Sequence, residues 1–153
     1  MNKTIKIAYI GGGSKQWART FMSDLATSEG IDGEICLYDI DKEAAIRNKK
    51  IGDLIAKNPK AIAKFKYTVC DTLEQCLLGA TFVIISILPG TFEQMASDVH
   101  APEKYGIYQS VGDTVGPGGI LRAMRTVPIY EDFAKAIKNY CPNAWVINLT
   151  NPM

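Results

Sequence analysis

The chain has 153 residues, is 47% hydrophobic and carries 17 basic against 16 acidic side chains, a net charge of +1. That balance leaves no basic patch or stripe for a nucleic-acid backbone, and the size and apolar content fit one compact domain with an ordinary core. No apolar run approaches membrane-spanning length, and the opening MNKTIKIAYIGGG meets a glycine loop where a signal peptide would have its cleavage site. A cytoplasmic location is expected. Cys36, Cys70, Cys76 and Cys141 show no C-x-x-C spacing, so reduced, semi-buried thiols are expected.

Short β-rich apolar runs alternate with helical patterns. In chain order, strands are predicted over residues 5–10, 34–38, 66–69, 82–88 and 145–149, and three of these are almost wholly apolar. Such runs suit strands covered on both faces of a parallel sheet. A first helix is predicted over 15–27, where Trp17, Phe21 and Leu25 recur every four residues as one apolar face for core packing. Further helices are predicted over 42–57, stopped by Asn58-Pro59, and over 72–78, ended by Gly79. Another is predicted over 92–105, broken at Pro102, and a long one over 119–140 with Pro128 as a kink point. The order predicts an α/β fold, a doubly wound parallel sheet of the Rossmann type with right-handed crossovers.

The stretch YIGGGSKQW joins the first strand to the first helix. Gly11 and Gly13 supply G-x-G, although Gln16 stands where the fingerprint has its third small residue. Gly11 permits a tight turn, Gly12 and Gly13 let backbone amides approach a pyrophosphate, and Ser14 caps the helix whose positive end faces the anion. The second strand ends in LYDID, which places Asp39 to accept hydrogen bonds from ribose hydroxyls and to repel a 2′-phosphate, favouring NAD. A tight turn with Asp39 or Asp41 as a plain helix cap is the alternative. In open α/β sheets ligands bind at the carboxyl ends of strands. There the run FVIISILPG would line the crevice with Ser86, Leu88 and Pro89, against the alternative of a buried strand and a Pro-Gly turn.

A second glycine-rich loop, VGDTVGPGGI, covers residues 111–120. Its single acid, Asp113, argues against a bare phosphate site, because a carboxylate among backbone amides competes with the anion. A polar ligand whose hydroxyls donate to Asp113 fits better, and a loop merely rich in turn residues fits the spacing equally well. His100 reads as a surface histidine, with substrate contact as its rival role. Arg122 and Arg125 follow the loop on a helix, where solvent or subunit-interface contact is expected, with pairing to a substrate carboxylate as the alternative.

GDTVGPGGILRAMRTVP, together with PNAWVINLTNPM, resembles glycoside hydrolase family 4, and the resemblance covers essentially the whole chain. The match is nearest to the α-galacturonidase branch, through IAYIGGGS, ISILPG, DVHAPEKYGIYQSVGDTVGPGGI and WVIN. Gly112 and Asp113 replace the family's usual Gln-Glu. The resemblance implies a glycosidase that uses NAD and a divalent metal, Mn²⁺, to oxidise the sugar C3 hydroxyl transiently. Elimination, water addition and return of the hydride then complete hydrolysis.

It implies a small carbohydrate substrate, most nearly an α-galacturonide, and a homodimer or homotetramer. It places Asp113 as an orienting or polarising catalytic residue, with Asp113, Thr114 and Asn151 as sugar contacts. The family's metal-binding Cys and His and its Tyr base would lie beyond Met153. The chain is thus expected to be the amino-terminal NAD-binding part, residues 1–153, of a longer protein, and to hydrolyse nothing alone. Other family 4 glycosidases, a lactate/malate-type dehydrogenase and a non-enzymatic NAD-binding module are the competing readings.

Overall fold

The computed structural model describes residues 2–112 and 114–150. The five strands are β1 (Lys3–Ile10), β2 (Ile31–Tyr38), β3 (Phe65–Val69), β4 (Phe82–Ile85) and β5 (Trp145–Asn148). They form one wholly parallel sheet in the order β3-β2-β1-β4-β5. The helices are α1 (Trp17–Ala26), α2 (Lys42–Ala56), α3 (Leu73–Leu77), α4 (Phe92–His100) and α5 (Gly116–Tyr140). The predicted Rossmann-type class is therefore the observed one. The chain from β1 to β3 runs outward to one side, then returns across β1 to β4, so the strand order reverses between β1 and β4.

The chain forms two compact units. The first comprises residues 1–87 and 136–149 and holds the sheet; the second comprises residues 88–135 and 150–153. In the first unit Ile7, Tyr9, Ile35, Leu37 and Ile84 are buried with Ala18 and Met22 of α1 and Ala45 of α2. The predicted apolar face of α1 needs correcting. Ala18, Met22 and Ala26 are the buried positions, while Trp17 is 52% exposed. Phe21 stays at the edge of the core, with its ring edge-on to Tyr9 at 5.5 Å between centroids. Ala18, Met22 and Ala26 recur every four residues one position on from Trp17, Phe21 and Leu25, and one step along a helix turns a side chain by about 100°.

The strand limits that shift most are the start of β2 and the end of β4. β2 begins at Ile31 because Lys3–Ile5 already pair with Ile31–Gly33. The extension was hidden by Asp32 and Gly33, yet a Cβ on Gly33 would lie 1.8 Å from the Ile5 carbonyl oxygen. β4 stops at Ile85 rather than 88, because its neighbour β1 ends at the paired Ile10, beyond which the Ser86 N–H donates to the Ile10 carbonyl. β5 departs from the expectation of cover on both faces: it is an edge strand, and all four of its residues are exposed. The four cysteines are free, and buried rather than semi-buried.

In the second unit α4 opens with a capping box, in which the Thr91 hydroxyl accepts the Gln94 N–H and the Gln94 side chain accepts the Thr91 N–H. Pro102 ends the α-helical geometry as predicted, and a 3-10 turn over Ala101–Tyr105 closes at Gly106, whose φ is +76°. α5 starts three residues earlier than expected, with Pro117 in its first turn, and runs unbroken through Pro128. No helix among the described residues is long and apolar enough to cross a membrane.

Candidate functional site

The carboxyl ends of β1, β2 and β4 bring the first glycine loop, Asp39 and Ser86 together. Gly11 has φ +89°, and a Cβ there would sit 1.9 Å from the Ser86 carbonyl oxygen, so the loop after β1 lies directly on the chain leaving β4. A Cβ on Gly12 would meet Leu37 Cβ at 2.8 Å, and one on Gly13 would meet Ala44 Cβ at 2.6 Å. All three positions are closed to a side chain by different neighbours, which is the cradle a dinucleotide loop needs. The N-cap position of α1 is Gln16, which makes no side-chain cap bond, so the expected cap at Ser14 is corrected: its Oγ accepts the Trp17 N–H at 3.2 Å from two residues before that position. Asp41 caps α2 by accepting the Ala44 N–H.

Asp39 has more to do than its sequence context showed. Its Oδ2 accepts the Gly13 N–H at 2.8 Å and its Oδ1 accepts the Asp41 N–H at 2.9 Å. A carboxylate has about four lone-pair sites, so capacity for ribose hydroxyls remains. Beneath the loop lies Asn48, which is completely buried on α2 and which no sequence motif had singled out. Its Nδ2 donates to the carbonyls of Gly12 and Ser14, each at 2.8 Å, and its Oδ1 accepts from Arg19 Nε at 2.9 Å. The available signal was a lone amide on a helix face otherwise lined by Ala45 and Gly52. Ser86 is buried, next to the Tyr9 phenol, whose pKa is pushed upward mainly by burial.

Leu88 and Pro89 lie in the second unit. There they line a small pocket with Gly90, Met95, Asp98 and Arg125. Arg125 forms a two-pronged ion pair with Asp98, Nη1 to Oδ1 at 3.1 Å and Nη2 to Oδ2. Arg122 is 7% exposed and lines the same pocket. The expected solvent or interface role of these arginines is thus corrected, since the second unit buries one and pairs the other internally. The Asp98 carboxylate in turn holds the Arg125 guanidinium pKa above its usual value.

The second glycine loop wraps around Gln109, whose Oε1 accepts the Gly118 N–H and whose Nε2 donates to the Val115 carbonyl, both at 3.3 Å. Gly112 and Gly116 take φ of +58° and +69°, and a Cβ on Gly112 would fall 2.3 Å from Gln109 Nε2. Thr114 is exposed. Asp113 and Asn151 lie outside the described residues. His100 is on the surface, its Nδ1 2.7 Å from Glu103 Oε1. Among the described residues no group of three His, Cys, Asp or Glu is arranged to hold a metal ion.

The family model for family 4 glycosyl hydrolases matches residues 6–153. The chain belongs to glycosyl hydrolase family 4. It is 63% identical over 149 residues to an α-galacturonidase of Thermoanaerobacterium saccharolyticum, covering 97% of this chain and 32% of that protein. Among solved structures it superposes on the Bacillus subtilis protein lplD with a TM-score of 0.86 at 53% identity, over 98% of this chain and 33% of that one.

A Thermotoga maritima 6-phospho-β-glucosidase, solved with manganese, NAD⁺ and glucose-6-phosphate, gives a TM-score of 0.80 at 31% identity, over 97% and 35% of the two chains. The chain thus spans about a third of the length of the family 4 proteins it matches.

Proposed function

We propose that the protein is an NAD-dependent family 4 glycosidase acting on α-galacturonides, and that residues 1–153 are the amino-terminal dinucleotide-binding part of a longer chain. The observation that carries the reading is the 63% identity to an α-galacturonidase across 97% of the chain, supported by a glycine loop with no room for side chains at the switch point of the sheet. In this family bound NAD supplies transient oxidation of the sugar C3 hydroxyl, which acidifies the neighbouring proton and is reversed at the end of the cycle.

The chain's own part is binding and orientation. Gly11, Gly12 and Gly13 admit the pyrophosphate, with Ser14 holding the first turn of α1, and Asp39 accepts from the adenosine ribose. Ser86, Leu88 and Pro89 are proposed as further cofactor contacts. Asp113, Thr114 and Asn151 are proposed to hold the sugar hydroxyls, with Asp113 orienting or polarising them. A divalent metal, Mn²⁺ in the proposal, finds no ligand set among the described residues. A cytoplasmic homodimer or homotetramer without nucleic-acid or membrane partners completes the proposal.

The test is hydrolysis of an aryl α-galacturonide by the full-length protein, with and without NAD and Mn²⁺, beside aryl α-galactoside, α-glucoside and 6-phosphoglucoside. Turnover of the galacturonide only in the presence of NAD supports the reading. Preference for another glycoside moves the substrate assignment. Net reduction of NAD by a 2-hydroxy acid, or NAD binding without any turnover, replaces the glycosidase reading by a dehydrogenase or a binding module.

A further inference from the structure

One peptide unit in the glycine loop is gripped at both ends. Asn48 Nδ2 donates to the Gly12 carbonyl at 2.8 Å, and Asp39 Oδ2 accepts the N–H of the next residue, Gly13, at 2.8 Å. A trans peptide is planar with its C=O and N–H opposed, so the two side chains together fix the plane. The second Nδ2 hydrogen of Asn48 goes to the Ser14 carbonyl at 2.8 Å. By the same planarity this turns the Lys15 N–H away from Asn48, out of the buried floor.

The remaining loop amides are already committed, those of Gly11 and Gly12 to the Tyr38 carbonyl and that of Ser14 to the Gly11 carbonyl. Among the described residues the Lys15 and Gln16 N–H groups make no such bond. They stand at the positive end of α1, where an anion is favoured.

We propose that Asn48, braced by Arg19, is the positioning residue of the dinucleotide loop, holding its carbonyls inward so that the Lys15 and Gln16 amides are presented to the pyrophosphate. The role rests on the NAD-binding reading above. An amide is needed because the site requires two donors and one acceptor on one side chain. Asn48 spends all three, with Arg19 Nε at 2.9 Å fixing which end is oxygen. Aspartate at this position would keep the partner for Arg19 but set a carboxylate against two carbonyl oxygens.

The experiment titrates the full-length protein and its Asn48→Asp and Arg19→Met variants with NADH by fluorescence, with ADP-ribose by calorimetry and with adenosine by NMR. Thermal unfolding is followed in parallel. Asn48→Asp is expected to weaken NADH and ADP-ribose by about tenfold or more, the scale of one or two lost hydrogen bonds, while adenosine, held through Asp39, changes by less than about twofold. Arg19→Met is expected to give a smaller loss of the same pattern, which keeps the inference open to refutation if Asn48→Asp does not fold. Equal losses for all three ligands, or variants that bind NADH like the parent, overturn the inference and leave the NAD reading standing. A parent protein that binds no dinucleotide overturns both.

Discussion

Asp39 Oδ2 and the Gly13 N–H are 2.8 Å apart although 26 positions separate the residues in the chain. The carboxylate proposed to read the ribose also ties down the loop proposed to receive the phosphates. Asp39→Ala is therefore expected to lower NAD affinity by more than loss of a ribose contact alone. A hydrogen bond to a charged group is worth about 1.5–3 kcal/mol, so the expected loss is on the order of 10- to 100-fold in Kd. Asp39→Asn keeps an acceptor oxygen for Gly13 and is expected to lose less affinity while admitting NADP better. Titration with both cofactors checks this, and equal behaviour of the two variants would remove the latch role.

Gly13→Ala tests the same contact from the other side. The added methyl would meet Ala44 Cβ at 2.6 Å and Asp39 Oδ2 at 2.8 Å. Overpacking of this kind costs about 1–3 kcal/mol, visible as a lower thermal midpoint before any ligand is added.

Gly33→Ala and Gly30→Ala form a controlled pair. Both glycines have positive φ, but a Cβ on Gly33 would lie 1.8 Å from the Ile5 carbonyl oxygen, whereas nothing lies within 4 Å of one on Gly30. Gly30→Ala is expected to cost about 1 kcal/mol of backbone strain. Gly33→Ala must push β1 and β2 apart and is expected to abolish folding or cost several times more. Comparable denaturant midpoints for the two variants would contradict the observed β1–β2 register.

Asp98→Asn removes the charged partner of Arg125 in the second unit. The side chains are 11% and 29% exposed. Breaking a fully buried pair costs about 3–5 kcal/mol, and this partial exposure points to about 2 kcal/mol. A double-mutant cycle with Arg125→Gln is expected to show a coupling of similar size. Independent, additive effects would show that the pair contributes nothing to folding.

Alkaline pH is expected to destabilise the sheet through Tyr67. Burial, aided by the nearby Asp53 charge, pushes its phenol up to about 12. An unfolded tyrosine ionises near pH 10, so the contribution is complete below about pH 10 and is lost as pH rises towards about 12, at up to about 1.4 kcal/mol per pH unit. Cys70, which the bond with Cys36 pulls down but Cys76 and burial together raise to about 11, titrates in the same range. The difference between parent and Tyr67→Phe therefore isolates the phenol, and identical pH–stability curves would refute the assignment.

The sequence by itself determined the order and kind of the strands and α-helices, because apolar strand runs and amphipathic helices leave strong local marks. The run KIAYI, Asp41 before the second helix, and the stops at Asn58-Pro59 and Gly79 all act within a few residues of themselves. The glycine loop and the family were legible for the same reason, as both rest on contiguous motifs. Only the tertiary structure decided how the loop is held. Asn48 and Arg19 look like ordinary helix residues until α1 and α2 are packed beside the loop. Asp39 becomes a latch only when β1 and β2 are paired. Trp17 and Ala18 exchange inside and outside through a single 100° step that four-residue spacing cannot distinguish. The pairing of Arg125 with Asp98 likewise needed the packing of α5 against α4. These are relations across 26 to 36 positions, and no local pattern encodes which polar atoms will be left facing one another when the chain closes.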